Sequence, residues 1–134
     1  MIVGIGVDFI EINRVQSVFK KLGSVFSKKI LSNKEYEFFS NYENSALPSS
    51  AIAYLAKRFT AKEAIGKALW LGIRYPVSFK SIEILNDLRG RPYPVFNDDL
   101  KEFCERKNYN LHLSISYQKN YAQAFAVIEV LGKF

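Results

Sequence analysis

The stretch SSAIAYLAKRFTAKEAIGKALWL, Ser49 to Leu71, constrains the fold more than any other part of the chain. It reads as one long helix, starting at Ser49 or Ser50 and stopped by Gly72. Apolar residues run around much of its circumference, so it belongs at the centre of the molecule, with neighbours on several sides. One residue sits awkwardly in it. Wound at about 100° per residue, Glu63 falls on the side of Ile52, Phe59 and Trp70, with Gly66 one turn ahead. A glycine inside a helix costs about 1 kcal/mol relative to alanine. Something is therefore expected to lie close against that turn.

The segments around the helix read as a mixed fold. MIVGIGVDFI is β-like, with Val3, Ile5, Val7 and Phe9 on one face and Ile2, Gly4, Gly6, Asp8 and Ile10 on the other. A helix follows, with Val15, Val18, Phe19 and Leu22 as its apolar stripe and Gly23 at its end. SVFSKKIL fits helix and strand equally. SNKEYEFF opens with a capping box, Ser32 with Glu35, and predicts a second helix. A polar loop, SNYENSALPSS, leads into the long helix. VSFKSIEILND predicts a strand, NDLRGRP a turn, and YPVF a short edge strand between two prolines. Asn97 or Asp98 can cap a short helix through Lys107, and LHLSISY and YAQAFAVIEV make a hairpin through residues 118–120. The order β-α-α-α-β-β-α-β-β predicts an α+β fold, an antiparallel sheet packed on the long helix.

A length of 134 residues suits one domain spanning 1–134, and 49% hydrophobic residues suffice for a core. No apolar run is long enough to span a bilayer, and the N-terminus lacks a basic leader and a small-residue cleavage site, so neither a membrane span nor a signal peptide is expected. The one cysteine, Cys104, excludes an internal disulfide and suits a reducing cytoplasm. The net charge of +6 favours acidic partners: nucleic acid, an anionic membrane, a polyphosphate or an acidic protein. Eight tyrosines and eleven phenylalanines could stack on nucleic acid, but most fall at core periods, and there is no RNA-binding signature.

Two carboxylates carry the site reading. Asp8 lies late in an apolar strand, on the face holding two glycines, where it ends the strand in water, caps the helix that follows, or meets a partner or a metal. Glu63 can pair with Lys67 in the favourable helical order, but its aromatic neighbours argue against full exposure. Two carboxylates on apolar elements suit a hard cation. Magnesium takes one or two protein carboxylates, waters and a substrate phosphate. Zinc is disfavoured with one histidine and one cysteine in the chain. Arg58, Lys62 and Lys67 share the helix, and cations beside a carboxylate can hold a polyphosphate, although a solvated charged face has the same pattern. RGRP, Arg89 to Pro92, is a turn where an anion can approach backbone. No Walker A loop, nucleophile elbow or dinucleotide fingerprint is present.

Taken together, GIGVDFIEINR, RFTAKEAIGKAL, NDLRGRP and LSISYQKNYAQAFAVIE resemble the holo-[acyl-carrier-protein] synthase family, small trimeric 4′-phosphopantetheinyl transferases, in order and spacing. The resemblance implies transfer of 4′-phosphopantetheine from coenzyme A to a serine of apo acyl carrier protein, releasing adenosine 3′,5′-bisphosphate, for fatty acid biosynthesis. By similarity Asp8 and Glu63 hold magnesium and, with Lys67, act in catalysis. Arg58, Lys62 and Lys67 face phosphate, and Gly90, Arg91 and Pro92 form a turn near the nucleotide. Arg14 and the basic residues after it meet the acidic carrier, and active sites lie between neighbours of a cytoplasmic homotrimer that binds neither nucleic acid nor membrane. Three positions depart from the family pattern. Tyr117 stands where a histidine often does, Trp70-Leu71-Gly72 replaces a usual G-T-G, and Arg91 replaces a lysine.

Overall fold

The structure, a computed structural model, describes residues 1–44 and 48–132. Strand β1 (Ile2–Glu11) leads into helices α1 (Ile12–Leu22), α2 (Ser24–Ile30), α3 (Asn33–Glu43) and α4 (Pro48–Ala68). Strands β2 (Ile82–Asn86) and β3 (Pro92–Phe96), helix α5 (Asp98–Arg106) and strands β4 (Tyr109–Tyr117) and β5 (Tyr121–Val130) complete the order. SVFSKKIL resolves as α2, a short helix whose periodicity is too brief to read against a strand. The predicted polar loop before α4 is shortened by α3 running to Glu43, and its centre, 45–47, lies outside the described residues. VSFKSIEILND is strand only from Ile82. Before it, Ser78 and Ser81 exchange side chain–backbone hydrogen bonds and close a turn.

Local chemistry explains the boundaries. Gly23 ends α1 at φ 58° and donates its N–H to the Phe19 carbonyl. Ser32 and Glu35 form the predicted capping box of α3, at 3.2 and 2.8 Å. Gly72 takes φ 66° and folds back to donate to the Gly66 carbonyl, 2.9 Å away. A Cβ on Gly66 would come within 3.0 Å of Gly72 backbone, so the close neighbour the glycine signalled is the chain itself. Trp70 also takes a left-handed φ of 66°, unusual for a bulky residue, and its indole N–H donates to the Val3 carbonyl at 2.9 Å.

Three antiparallel strands, in the order β1-β5-β4, form one sheet, and β2 and β3 form a second, two-stranded one. Helix α4 lies across β1 and β5 and touches α1, α2 and α3 on other sides, as its all-round apolar pattern requires. It can sit this close because the strands offer small residues: Ala122, Ala124 and Ala126 on β5, Gly4 and Gly6 on β1. A Cβ on Gly6 would lie 1.9 Å from the Ala64 carbonyl oxygen, and one on Gly4 1.8 Å from that of Ala68. Ile65 in the C-terminal half of α4, and Leu69 just past its end, share a core with residues of β2, β5 and α5, where Cys104 is buried and its thiol pushed up to about 11 by that burial. Its N-terminal half packs Leu55 against Val15, Ile30 and Phe39. The antiparallel sheet on a central helix is the α+β fold expected. Among the described residues, no helix is long and apolar enough to cross a membrane.

Candidate active site

The glycine-lined crossing of β1 and α4 brings Asp8 to Glu63. Asp8 follows Gly4 and Gly6 on the same strand face, so the close approach that needs those glycines also sets its carboxylate against α4. Its Oδ2 accepts from Thr60 Oγ1 at 2.8 Å, and its Oδ1 meets Lys67 Nζ at 3.1 Å. Lys67 also donates to the Val7 carbonyl at 3.0 Å, so this cation clamps the strand end rather than standing free in solvent. Thr60 went unnoticed in the sequence, because a threonine two turns before a lysine carries no signal.

Glu63 makes no ion pair and no side-chain hydrogen bond among the described residues. Its carboxyl is held above its ordinary value of 4.5, first by burial and then by the neighbouring Asp8, with Lys67 opposing. A half-buried carboxylate, destabilised by a second one and without a protein partner of its own, has the chemistry of a cation ligand. Both groups are hard oxygen donors, and each Asp8 oxygen keeps a further lone pair, so the pair fits magnesium. Among the described residues no third His, Cys, Asp or Glu joins them, which leaves coordination positions for phosphate and water. Glu63 also walls a groove of about 600 Å³ with apolar Ile73, Val77 and Phe79 and cations Lys29, Arg74 and Lys80. Those three cations lie outside every motif.

Helix geometry separates the other cations. Lys62 is fully buried: its Nζ meets Glu35 Oε1 at 2.6 Å and donates to the Ile30 and Phe79 carbonyls at 2.7 and 2.8 Å. All three ammonium donors are used inside the protein. This corrects the expectation that Lys62 faces phosphate; it is a structural cation, one residue from Glu63 but about 100° round the helix. Arg58 is also buried. Its Nη2 donates to Asn86 Oδ1 at 2.7 Å, and its guanidinium lies 4.3 Å above the Tyr54 ring. Asn86 in turn donates to the Gly90 carbonyl at 2.9 Å, which ties the Gly90-Arg91-Pro92 turn to Arg58. Gly90 needs its freedom there, at φ 84°. The Arg91 side chain is exposed, 3.7 Å from Asp87. A cavity of about 610 Å³ opens beside Arg58, lined also by Tyr54, Lys57, Ile84, Asn86 and Tyr93.

A strand carboxylate set against a helix carboxylate, with an arginine-lined cavity on the same helix, spans the region that a family model matches. Residues 4–126 match the model of the 4′-phosphopantetheinyl transferase superfamily. The chain belongs to that superfamily. The holo-[acyl-carrier-protein] synthase of Buchnera aphidicola is 40% identical over 129 residues, 96% of this chain and 98% of the relative. Among solved structures, the holo-[acyl-carrier-protein] synthase from Neisseria meningitidis superposes with a TM-score of 0.86 at 37% identity, covering 96% of this chain and 99% of its own. The Bacillus anthracis synthase, solved in complex with CoA (3′,5′-ADP), gives a TM-score of 0.78 at 37% identity and 96% coverage of both chains.

Within this transferase fold, Asp8, Glu63 and Lys67 come together, while Arg58 and the Gly90 turn gather at the separate cavity. Arg14, Lys20 and Lys21 lie exposed on α1, away from that cavity's lining. Tyr117, at the usual histidine position, instead carries Lys57 Nζ 4.9 Å from its ring centroid. Asn86 and Tyr54 were missed in the sequence. One looks like a turn residue and the other like a core aromatic, and only the fold sets them around Arg58.

Proposed function

We propose that the chain transfers 4′-phosphopantetheine from coenzyme A to a serine of an apo acyl carrier protein, giving holo carrier protein and adenosine 3′,5′-bisphosphate for fatty acid biosynthesis. The observation that carries this reading is Glu63: an unpaired, half-buried carboxylate beside Asp8, in a chain that aligns over 96% of its length with a holo-[acyl-carrier-protein] synthase. The residues 1–134 act as one transferase domain in this reading.

Asp8 and Glu63 would hold magnesium between them. When bound, the ion would neutralise the diphosphate of coenzyme A and the bisphosphate that departs. The carrier serine oxygen forms its new bond to the phosphorus bearing the pantetheine, as that phosphorus loses its oxygen bridge to the nucleotide phosphate. The serine proton passes to a carboxylate of the pair or to water held there. Lys67 keeps Asp8 in place and puts positive charge beside the transferring phosphoryl. Arg58, Asn86 and the Gly90-Arg91-Pro92 turn take the nucleotide end. The acidic carrier is drawn to Arg14, Lys20 and Lys21 on α1.

The active form in this reading is a homotrimer with its sites between neighbours. Two observations support it. The outer face of the three-stranded sheet is apolar and open, with Ile5, Val7 and Phe9 beside Tyr121 and Phe125. Arg58 lies five residues before Glu63, about 140° round α4, so one chain's cavity and its carboxylate pair face apart. We place the protein in the cytoplasm, where the buried free thiol of Cys104 stays reduced.

The deciding experiment incubates the protein with coenzyme A, magnesium and apo acyl carrier protein and weighs the carrier. A mass gain of one phosphopantetheine on the serine is expected, lost when magnesium is chelated. An unmodified carrier would reject the reading.

A further inference from the structure

Trp70 stands just past the C-terminal end of α4 in a conformation that a bulky side chain rarely takes. Its φ of 66° lies in the left-handed region, where glycine is at home, and the family pattern usually has glycine there. A non-glycine residue held in that region is strained, and such strain collects at ligand clamps. The residue is also 80% exposed, so burial does not offset the strain. Yet the ring is not loose. Its indole N–H donates to the Val3 carbonyl at 2.9 Å, which fixes one edge and leaves most of the surface to solvent.

The anchors show how the ring stands relative to the carboxylates. Strand β1 is an edge strand, paired with β5 on one side. Trp70 bonds the Val3 carbonyl, while Lys67 bonds the Val7 carbonyl and Asp8. Both side chains therefore lie along the open edge of β1, with anchors four residues, or about 13 Å, apart. A ligand whose diphosphate rests on Asp8, Glu63 and Lys67 can reach the indole if its next group follows that edge. In coenzyme A the group beyond the diphosphate, away from the pantetheine, is a nucleoside. A fixed, exposed indole is a platform for the flat face of a base, and such a stack needs no hydrogen-bond partner.

We propose that Trp70 stacks on the adenine of coenzyme A and so sets the affinity for the donor. This rests on the coenzyme A reading above and adds a residue that reads the base from the carboxylate side of the site.

Trp70 is the one tryptophan of the chain, so its fluorescence reports this ring alone. In the ligand-free protein the emission should be that of an exposed indole, open to acrylamide. Coenzyme A or adenosine 3′,5′-bisphosphate, each with magnesium, should quench it saturably and shield it from acrylamide. 4′-Phosphopantetheine, which has no base, should do neither. Nucleotide binding seen by calorimetry without a change in emission overturns the proposal and leaves the coenzyme A reading standing. The absence of both binding and spectral change rejects the two together. An indole already shielded without ligand assigns the ring to a contact between copies and also overturns the stack. Trp70→Gly suits the left-handed backbone, and it should raise KM for coenzyme A about tenfold with kcat within about twofold. Trp70→Phe keeps a stacking face and loses the N–H, and its KM should stay within about threefold of the wild type. A fall in kcat in place of the rise in KM, or a phenylalanine variant as weak as the glycine one, makes Trp70 a brace for β1 and overturns the proposal.

Discussion

At the scale of single residues, the site is set by a carboxylate the apo fold would be more stable without. The Glu63 carboxyl is held above 4.5 by burial and by Asp8. A folded value above the unfolded one means that the folded state binds more protons in between. Stability therefore falls as pH rises through that window, and at neutral pH the ionised Glu63 is a net liability. Replacing it with glutamine should raise the melting temperature of the metal-free protein at pH 7. That gain should vanish well below pH 4.5, where the wild-type carboxyl is protonated. The same variant should lose transfer activity by about a hundredfold or more, since it gives up a metal ligand at the reacting phosphate. Calorimetric melting and the carrier mass assay read the two effects separately. Asp8 differs, because Lys67 and Thr60 already bond both its oxygens. Asp8→Asn should cost activity without a comparable gain in stability. Full activity in either variant counts against the paired-carboxylate site.

At the scale of elements, one buried ion pair does much of the joining. Lys62 and Glu35 together bond the end of α2 at Ile30, the cap of α3 at Ser32, the loop at Phe79 and strand β2 at Ile84. Lys62→Met should destabilise the protein by about 3–5 kcal/mol, because it strands a fully buried carboxylate. Adding Glu35→Met should not restore stability, since four backbone groups then lose their partners. Urea titrations of the single and double variants check both statements, and a double variant as stable as the wild type would contradict the second. This pair also shows where the sequence stops being readable. The capping box, the glycine stops and the central helix follow local rules, so they can be read along the chain. Lys62 and Lys67 are both lysines on one helix, and only packing makes the first a core cation and the second a clamp on Asp8. Asp8 and Glu63 stood out because charge on an apolar element is rare. Tyr54 and Asn86 did not, because their residue types are ordinary for a core and a turn. Helix α2 was lost for a third reason, its seven residues being too few for a period.

At the scale of the whole molecule, the question is whether one chain contains a complete site. The fold spends its smallest residues on seating α4 against β1 and β5, which turns the odd residues of β1 outward. Val7 stands opposite Phe125, and Phe9 stacks on Tyr121 at 4.8 Å, all on a face this chain leaves uncovered. The proposed trimer, built on that face, would bury it, and the shared-site reading requires one copy's Arg58 cavity to meet the carboxylates of the next. Phe125→Glu should then give a folded monomer by light scattering with little transfer activity. A stronger test needs no disruption of the interface. Glu63→Gln and Arg58→Ala each cripple one half of the site. If a site draws Glu63 from one copy and Arg58 from its neighbour, trimers assembled from an equal mixture contain intact sites although no chain is intact. Random assembly gives about one site in four with both native residues, because each of two independent copies is native at the needed position half the time. Co-refolded mixtures should therefore recover about a quarter of wild-type activity, while the variants refolded separately and then combined without exchange should stay inactive. If the two halves act within one chain, co-refolding restores nothing, and the trimer, if it forms, serves stability alone.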